Sequence, residues 1–560
     1  MSPRVPFRPA SPDPGPIPAK RMRVGYDHYT PTVGPRSPMA PTPDTARSTA
    51  PWHQPELPRL KEDVLCRAWQ TDPYVSDPES VTSTISSFFR QTDAAALRFL
   101  PEGAFTSWVK SSAYRKSPED LMLVYSILAV SVALSGGPRH TAHEYSQVAR
   151  YAVDHGALSI QLVQSRILLS LYYLAISRPV DAIDMSSSAI STAMCAQLNL
   201  EFSESRDKSR TTFPFGLAKE GYVECRTRTF WSCFILERLN GLFPTRVAII
   251  QPDDVFIRLP AEVGSFEAQR LVGTPVAFDP YFANSEVLRL GVGAMGYLVE
   301  LVAIWGDVMS AIYRLAHKSS TDGFNYEEHH GMALSRLHQW KNCLPPGLQF
   351  SPANLSSIVR EDQGTLILMH ILYHLAVIKL HRHLPKHLVD QPTQLNRAMV
   401  AQEHGRALLD IVCALAKDSG MGRISIPPPF TAVAIMETTD VLTAEGGVQD
   451  LAGLVDGLAL AHSVLDVLGS VWDDAKVHQM AMNHRIDMLV TLRDRTRAST
   501  PPGGSDLVSI PGMRVYMYRD AGQSKRKLPT GLRWQIPEAL ECRFPQDMDI
   551  VYRALTTREI

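Results

Sequence analysis

The residues with the clearest metal-binding spacing are histidines in an apolar stretch. His370 and His374 stand four residues apart, which places both side chains on one face of a helix, as in a zinc-binding pair. His381 and His383 follow further along the same stretch. A zinc ion needs additional ligands and a supporting polar shell, and no glutamate follows His370 in the metalloprotease arrangement. We therefore expect interior histidines with satisfied hydrogen bonds and no metal ligand among them.

Two other patterns with chemical meaning lack the context that their chemistry needs. The glycines at 291–296 have the literal form G-x-G-x-x-G, but dinucleotide binding requires a preceding strand and a βαβ unit. Here the stretch lies inside an apolar helical region, so the glycines are better suited to close helix packing. The aspartate pairs at 253–254 and 473–474 do not extend to the D-D-x-x-D spacing that clamps magnesium. No catalytic residue, metal or cofactor is predicted for this chain.

The spacing of the cysteines limits which zinc-binding modules this chain can form. All seven are scattered, the closest two are Cys225 and Cys233, and no C-x-x-C spacing occurs. Short Cys pairs of that kind are what structural zinc sites require, so reduced thiols in an intracellular protein are expected.

A net charge of −1 and a pI near 7.0 give no general attraction for nucleic acid. Any DNA contact must then come from a small local element.

Proline dominates the N-terminal segment. Residues 1–60 hold 15 prolines and few large apolar side chains, too few to offset the entropy lost on ordering. We expect a disordered arm over 1–60. Its basic cluster, Lys20, Arg21 and Arg23, is a candidate nuclear-import signal, with an ordinary solvated patch as the alternative. Residues 496–560 are rich in proline and glycine with scattered aromatic residues, so we expect a partly ordered tail.

Between these segments, apolar residues recur at helical spacing from about Val81 to Leu492. Ser117 followed by Pro118 and two acids is a helix start, and the helix after it is apolar almost all round, which predicts deep burial. We predict an all-α fold, with one large domain of packed antiparallel helices over 80–495. The sequence has no run of 18 or more apolar residues, so no membrane-spanning helix is predicted. The further predicted helices span 143–155, 159–176, 180–198, 221–242, 285–317, 326–343, 364–384, 394–417, 431–444, 452–475 and 477–495.

The segment 224–260 combines a basic, aromatic-rich helix with a loop that ends in Leu-Pro. Glu224 and Arg228 stand four apart with the acid first, a favourable helix pair worth a few tenths of a kcal/mol. Aromatic residues form an apolar stripe between the arginines. We expect Arg238, or another arginine of this helix, to pair with Asp253 or Asp254 and hold the loop in place.

This segment resembles the signature of the middle homology region of fungal zinc-cluster transcription factors. The matching residues are Arg226, Arg228, Phe230, Trp231, Phe234, Glu237, Arg238, Asp254 (or Asp253), Leu259 and Pro260. Further stretches at 87–105, 337–355 and 369–383 resemble other parts of the same region, so the likeness covers roughly 80–495. Where the family often has Gly-Arg-Pro in the loop, this chain has Phe-Pro-Thr-Arg at 243–246.

The resemblance implies a nuclear transcriptional regulator of RNA polymerase II genes, with a metabolic or secondary-metabolite gene cluster among the expected targets. It implies structural roles for the signature residues. The six-cysteine zinc cluster of the family is missing, so DNA contact is expected only through a missing cluster, which would bring the zinc, or through a partner factor. A small-molecule effector and a homo- or heterodimer are further expected partners, and a membrane is not. The alternatives are an all-helical enzyme of specialised metabolism and a helical scaffold.

Overall fold

The computed structural model describes residues 58–111, 115–203, 212–240, 248–270, 273–281, 289–317, 326–383, 390–420, 427–444, 446–448, 450–499 and 508–510. The predicted arm up to residue 57, with Lys20, Arg21 and Arg23, lies outside the described residues. So do the loop residues 243–246 and most of the predicted tail.

Helices dominate the described residues, which confirms the all-α class. They are α1 Glu62–Trp69, α2 Pro73–Ser76, α3 Pro78–Ala94, α4 Glu102–Lys110, α5 Pro118–Leu134, α6 Arg139–His155, α7 Ile160–Ala175, α8 Pro179–Cys195, α9 Lys219–Asn240, α10 Val263–Glu267, α11 Ala294–His317, α12 Tyr326–Asn342, α13 Pro352–Ser357, α14 Arg360–Arg382, α15 Gln391–Gly420, α16 Phe430–Leu442, α17 Leu451–Gly469 and α18 Asp473–Ser499. Two short strands, β1 Gly446–Val448 and β2 Val508–Ile510, pair antiparallel. Neither strand was predicted, because three residues are too few to show an alternating pattern.

Helix α5 shows how the local sequence sets an element. The Ser117 hydroxyl accepts a hydrogen bond from the Asp120 amide, and the Asp120 carboxylate accepts one from the Ser117 amide. This capping box satisfies two backbone donors at the helix start. Apolar residues then occupy nearly every position, and most of the helix is buried. The predicted start and the predicted depth of this helix are both confirmed.

The helices pack as successive layers around α5 and α14. Helix α5 contacts α3, α6 and α7, whereas α14 contacts α3, α11, α15 and α16. Helix α9 lies among α7, α8 and α11, and α15 to α18 pack on one another. Within the part of the chain that is described, one contiguous apolar cluster joins these helices.

A buried ionic network ties α14, α16 and α18 together. The Glu437 carboxylate pairs with Lys379 and, at 2.8 Å, with Arg382. Asp440, one turn later on α16, pairs with Arg382 at 3.6 Å and with Arg485 of α18 at 3.2 Å. All five side chains are almost inaccessible to solvent. Removing one partner of such a network leaves an uncompensated charge in the interior.

The chain before α11 departs from the predicted helix over 285–317. Helix α11 begins at Ala294, and Gly291 has a φ of +83°. Residues 291–293 instead run beside the loop at 260–262, where Ala261 and Val292 form a bridge. A Cβ atom on Gly293 would clash with the Ala261 carbonyl oxygen. The glycines therefore allow a loop, rather than a second helix, to approach closely.

Three described helices are long and apolar enough to cross a membrane by length and composition. The windows in α11 and α14 are 83% and 94% buried inside the protein, and the window in α17 is 39% buried. Polar residues interrupt each of them, so none forms an unbroken apolar run. Asp456 and Asp466 lie on the exposed side of α17, which gives that helix one polar and one core-facing side.

Candidate regulatory site: a loop clamped to helix α9

One face of α9 holds the loop at 249–261. Arg228, Trp231 and Arg238 are spaced by three and by seven residues, so a helical repeat brings them to the same side. Each of them donates a hydrogen bond to a backbone carbonyl of the loop. The loop has little regular structure of its own, so its backbone groups need partners from elsewhere. Helix α9 supplies these partners from its middle and from its C-terminal end.

The first clamp is the pair Glu224 and Arg228. One Glu224 oxygen accepts hydrogen bonds from the Arg228 Nε, at 2.8 Å, and from the Ala261 amide, at 2.8 Å. Arg228 also donates to the Ala261 carbonyl at 2.5 Å and to the Arg98 carbonyl at 3.3 Å. Its guanidinium lies 4.6 Å from the centre of the Phe266 ring. The predicted helix pair is formed, and both of its charged side chains are buried, so removing one partner costs more than the few tenths of a kcal/mol of an isolated helix pair.

The second clamp is the pair Glu237 and Arg238. The Glu237 carboxylate accepts from the amides of Ile249 and Ile250 and from Arg238 at 2.9 Å. Arg238 donates to the Ile250 carbonyl at 2.7 Å and stacks 3.5 Å from the centre of the Phe234 ring. Burial lowers the pKa of Arg238 to about 10, although the Glu237 carboxylate acts in the opposite direction. The guanidinium still carries its charge at neutral pH.

Aromatic side chains fill the space between the clamps. The Trp231 indole N–H donates to the Arg258 carbonyl at 2.8 Å. The Trp231 ring contacts Phe278, which lies after α10 in the segment 273–281, with ring centroids 4.9 Å apart. Phe230 and Phe234 are fully buried beside it. The predicted apolar stripe therefore faces the core and the loop together.

The Leu-Pro end of the loop packs against the glycines before α11. Leu259 is buried, and its amide donates to the Val276 carbonyl at 2.8 Å. The Pro260 carbonyl accepts from the Gly293 amide at 3.0 Å. A Cβ atom on Gly296 would lie 2.5 Å from Val292 and 3.4 Å from Leu259. Small residues at these positions are what allow the loop to close.

The predicted pairing of Arg238 with an aspartate is wrong. Asp253 and Asp254 are exposed, and Asp253 accepts from the Tyr281 hydroxyl at 3.3 Å. The Asp254 carbonyl accepts from the Asn199 side chain at 3.0 Å. Glu237 takes the place of the aspartate, because the loop amides that it caps lie next to Arg238.

Arg226 points away from the loop. Its guanidinium donates to the Gln197 carbonyl and, at 3.5 Å, to the Leu200 carbonyl, both beyond the end of α8. Two residues along a helix correspond to a rotation of about 200°, so Arg226 and Arg228 serve opposite sides of α9.

Sequence reasoning missed an anchor on the far side of the loop. The Glu267 carboxylate, at the end of α10, accepts from Arg98 at 2.7 Å and from the amides of Glu102 and Gly103 at 2.9 and 3.2 Å. It caps the start of α4, where an acid complements the helix dipole. Arg98 also pairs with the buried Asp93 at 2.6 Å. Glu267 stands 169 residues from Arg98 in the chain, so no local sequence signal marks their contact.

The histidines do not converge on one point. His370 shares a hydrogen bond of 2.8 Å with the Leu348 carbonyl, and His381 one of 2.9 Å with the Val377 carbonyl. His374 instead meets His404 of α15, with their Nδ1 atoms 3.2 Å apart. Burial lowers the pKa of His374 to about 3 and the pKa of His404 to about 4. Among the described residues, no group of three or more His, Cys, Asp or Glu is placed to hold a metal ion.

Comparison with known families identifies the domain. Residues 85–342 match the fungal specific transcription factor domain, a range that begins within α3 and includes α9, both clamps and the loop. This match agrees with the resemblance that the sequence predicted. No solved structure matches the chain.

Curated relatives agree with this assignment. An uncharacterized transcriptional regulatory protein of Schizosaccharomyces pombe is 24% identical over 40% of this chain and 30% of its own length. A second such protein of the same yeast is 24% identical over 47% of this chain and 28% of its own length. A Zn(2)-C6 fungal-type transcription factor of Fusarium oxysporum f. sp. lycopersici is 24% identical over 33% of this chain and 21% of its own length. The chain spans well under half of the length of these relatives.

Proposed function

We propose that this protein is a nuclear transcriptional regulator and that residues 80–495 form its helical regulatory domain. The family match over residues 85–342 carries the proposal, and the names of the relatives support it. The signature residues, in this proposal, are structural, and four of them fix the loop at 249–261 on α9: Arg228, Trp231, Glu237 and Arg238. No enzymatic reaction is assigned, in keeping with relatives that are named as regulators.

DNA recognition, in this proposal, comes from outside the helical domain. The relative from Fusarium oxysporum is named for a Zn(2)-C6 module, which needs closely spaced cysteines, whereas the seven cysteines here are scattered. A zinc cluster encoded upstream or a partner factor would then bring the domain to a promoter. Sequencing the transcript upstream of the codon for Met1 distinguishes these two routes.

A tethering experiment tests the regulatory role. The full chain is fused to an unrelated DNA-binding domain, and a reporter with the matching operator is measured in a fungal host. We expect reporter output to change at least threefold, relative to the DNA-binding domain alone, and the tagged chain to enter the nucleus. Unchanged output together with exclusion from the nucleus would refute the proposal and favour a scaffold.

The basic cluster of the arm is proposed to drive nuclear import. Replacing Lys20, Arg21 and Arg23 together by alanine removes three charges that an import receptor reads. We expect the ratio of nuclear to cytoplasmic fluorescence to fall at least threefold. The matched control replaces the second basic run, 525–527, in the same way. An equal fall in both variants would assign the effect to charge in general and not to an import signal at 20–23.

A further inference from the structure

The link between α16 and α17 contains a strand whose partner comes from far along the chain. In the antiparallel pairing of β1 with β2, Gly446 lies opposite Ile510 and Val448 opposite Val508. A two-stranded unit is marginal on its own in water, and here each strand has three residues. The contact is therefore suited to exchange.

Strand β1 is held on a fixed frame. Before it, the buried Thr443 donates to the Thr439 carbonyl at 2.6 Å and accepts from Arg485, which also pairs with Asp440. After it, the Asp450 carboxylate accepts from the Gly453 amide at 2.7 Å and caps α17. The described residues that flank β1, Thr443 and Asp450, are thus each held at a helix end.

The composition of β1 suits docking of a backbone. Its first two residues, Gly446 and Gly447, carry no side chain, and glycine inside a strand often marks close approach of another backbone. A strand edge offers a row of N–H and C=O groups to any extended segment. Addition of such a segment to an exposed edge is a common mode of peptide recognition.

We propose that β1 is a docking edge for an extended peptide and that residues 508–510 of the same chain are its resident occupant. The tail then covers the edge until a partner protein displaces it. The partner offers an extended segment with branched aliphatic residues two positions apart, as Val508 and Ile510 are, because residues at that spacing share one face of a strand. This inference does not depend on the role in transcription.

The test disrupts β2 in the full chain. Alternate N–H groups of a strand point to its partner, so replacing both Val508 and Ser509 by proline removes at least one paired donor in either register. The control replaces both by threonine, which keeps the donors and favours strands. Hydrogen exchange at residues 446–448 should become at least tenfold faster in the proline variant and stay unchanged in the threonine variant. Equal exchange in all three proteins would overturn the proposal.

A second measurement tests exchange directly. A labelled peptide with the sequence of residues 504–514 is titrated against each protein, and anisotropy is recorded. An attached tail competes at an effective concentration in the mM range, so the peptide should bind the proline variant at least tenfold more tightly than the unsubstituted chain. A peptide with proline at both positions should not bind. Failure of the native-sequence peptide to bind the proline variant would overturn the proposal. So would protection of 446–448 that rises with protein concentration, since this would place a second copy's tail on β1.

Discussion

The first clamp makes a quantitative prediction. Replacing Arg228 by alanine leaves the Glu224 carboxylate fully buried, with one of its oxygens already lacking a hydrogen-bond partner among the described residues. It also removes the donors to the carbonyls of Ala261 and Arg98. Breaking a buried ion pair from one side costs about 3–5 kcal/mol, which exceeds the effect of most single substitutions. We expect the free energy of unfolding to fall by that amount.

A more exposed pair that involves the same loop supplies a matched control. Arg258 forms a bidentate pair with Glu201, but their side chains are 20% and 40% exposed. A surface pair contributes about 0–1 kcal/mol, so Arg258→Ala should cost at most about 1 kcal/mol. Urea unfolding, followed by both tryptophan fluorescence and far-UV dichroism, measures both variants and shows whether the two probes coincide.

A double substitution separates pairing from packing. Glu224→Leu with Arg228→Met replaces both charges by apolar groups, so no isolated charge stays in the core. The single variants Glu224→Leu and Arg228→Met are measured beside it. We expect the double variant to be at least about 1 kcal/mol more stable than the sum of these two single effects predicts. Additive effects, or an Arg228→Ala variant within about 1 kcal/mol of the unsubstituted protein, would refute the clamp.

Three further predictions follow from the interior. Glu437→Ala should cost about 3–5 kcal/mol, since it leaves the buried Lys379 without its carboxylate and removes one of the two carboxylates that pair with Arg382; a urea midpoint equal to that of the unsubstituted protein would contradict this. Gly293→Ala should lower the melting temperature because its Cβ atom would meet a carbonyl oxygen, whereas Gly331→Ala, on an open helix face, should raise stability by about 1 kcal/mol; equal shifts would contradict the close approach. Burial lowers the pKa of His374 and His404 to about 3 and 4 from the ordinary histidine value of 6.5, so the unfolded state binds more protons and stability should fall as the pH drops from about 6.5 towards 4. Replacing both histidines by leucine should flatten that decline, and an unchanged pH profile of the unfolding midpoint would contradict it.

Much of the fold was accessible from the sequence because local physics dictates it. Helix α5 has its cap, its proline and its apolar residues in one continuous stretch. The aromatic stripe of α9 likewise needs only a period of 3.6 residues to be recognised. Such features depend on neighbours in the chain, and the structure retains them.

The partners of the charged residues were less accessible. Glu237 and Arg238 are adjacent in the chain, and adjacent residues on a helix do not usually face each other. They meet because both side chains bind the backbone of Ile250: Glu237 accepts from its amide, and Arg238 donates to its carbonyl. The predicted start of α11 was wrong for a related reason. Residues 291–293 lie beside Ala261 instead of continuing the helix, and no periodicity in the sequence reveals this contact.

The contacts around Arg98 also constrain the order in which the protein assembles. Arg228 and Arg98 stand 130 residues apart in the chain, and Arg98 and Glu267 stand 169 apart. Joining such distant residues requires closing large loops, which slows folding. During synthesis the start of α4 emerges long before Glu267, so its amides must wait for their cap. The start of α4 therefore gains its Glu267 cap only after the ribosome has passed α10.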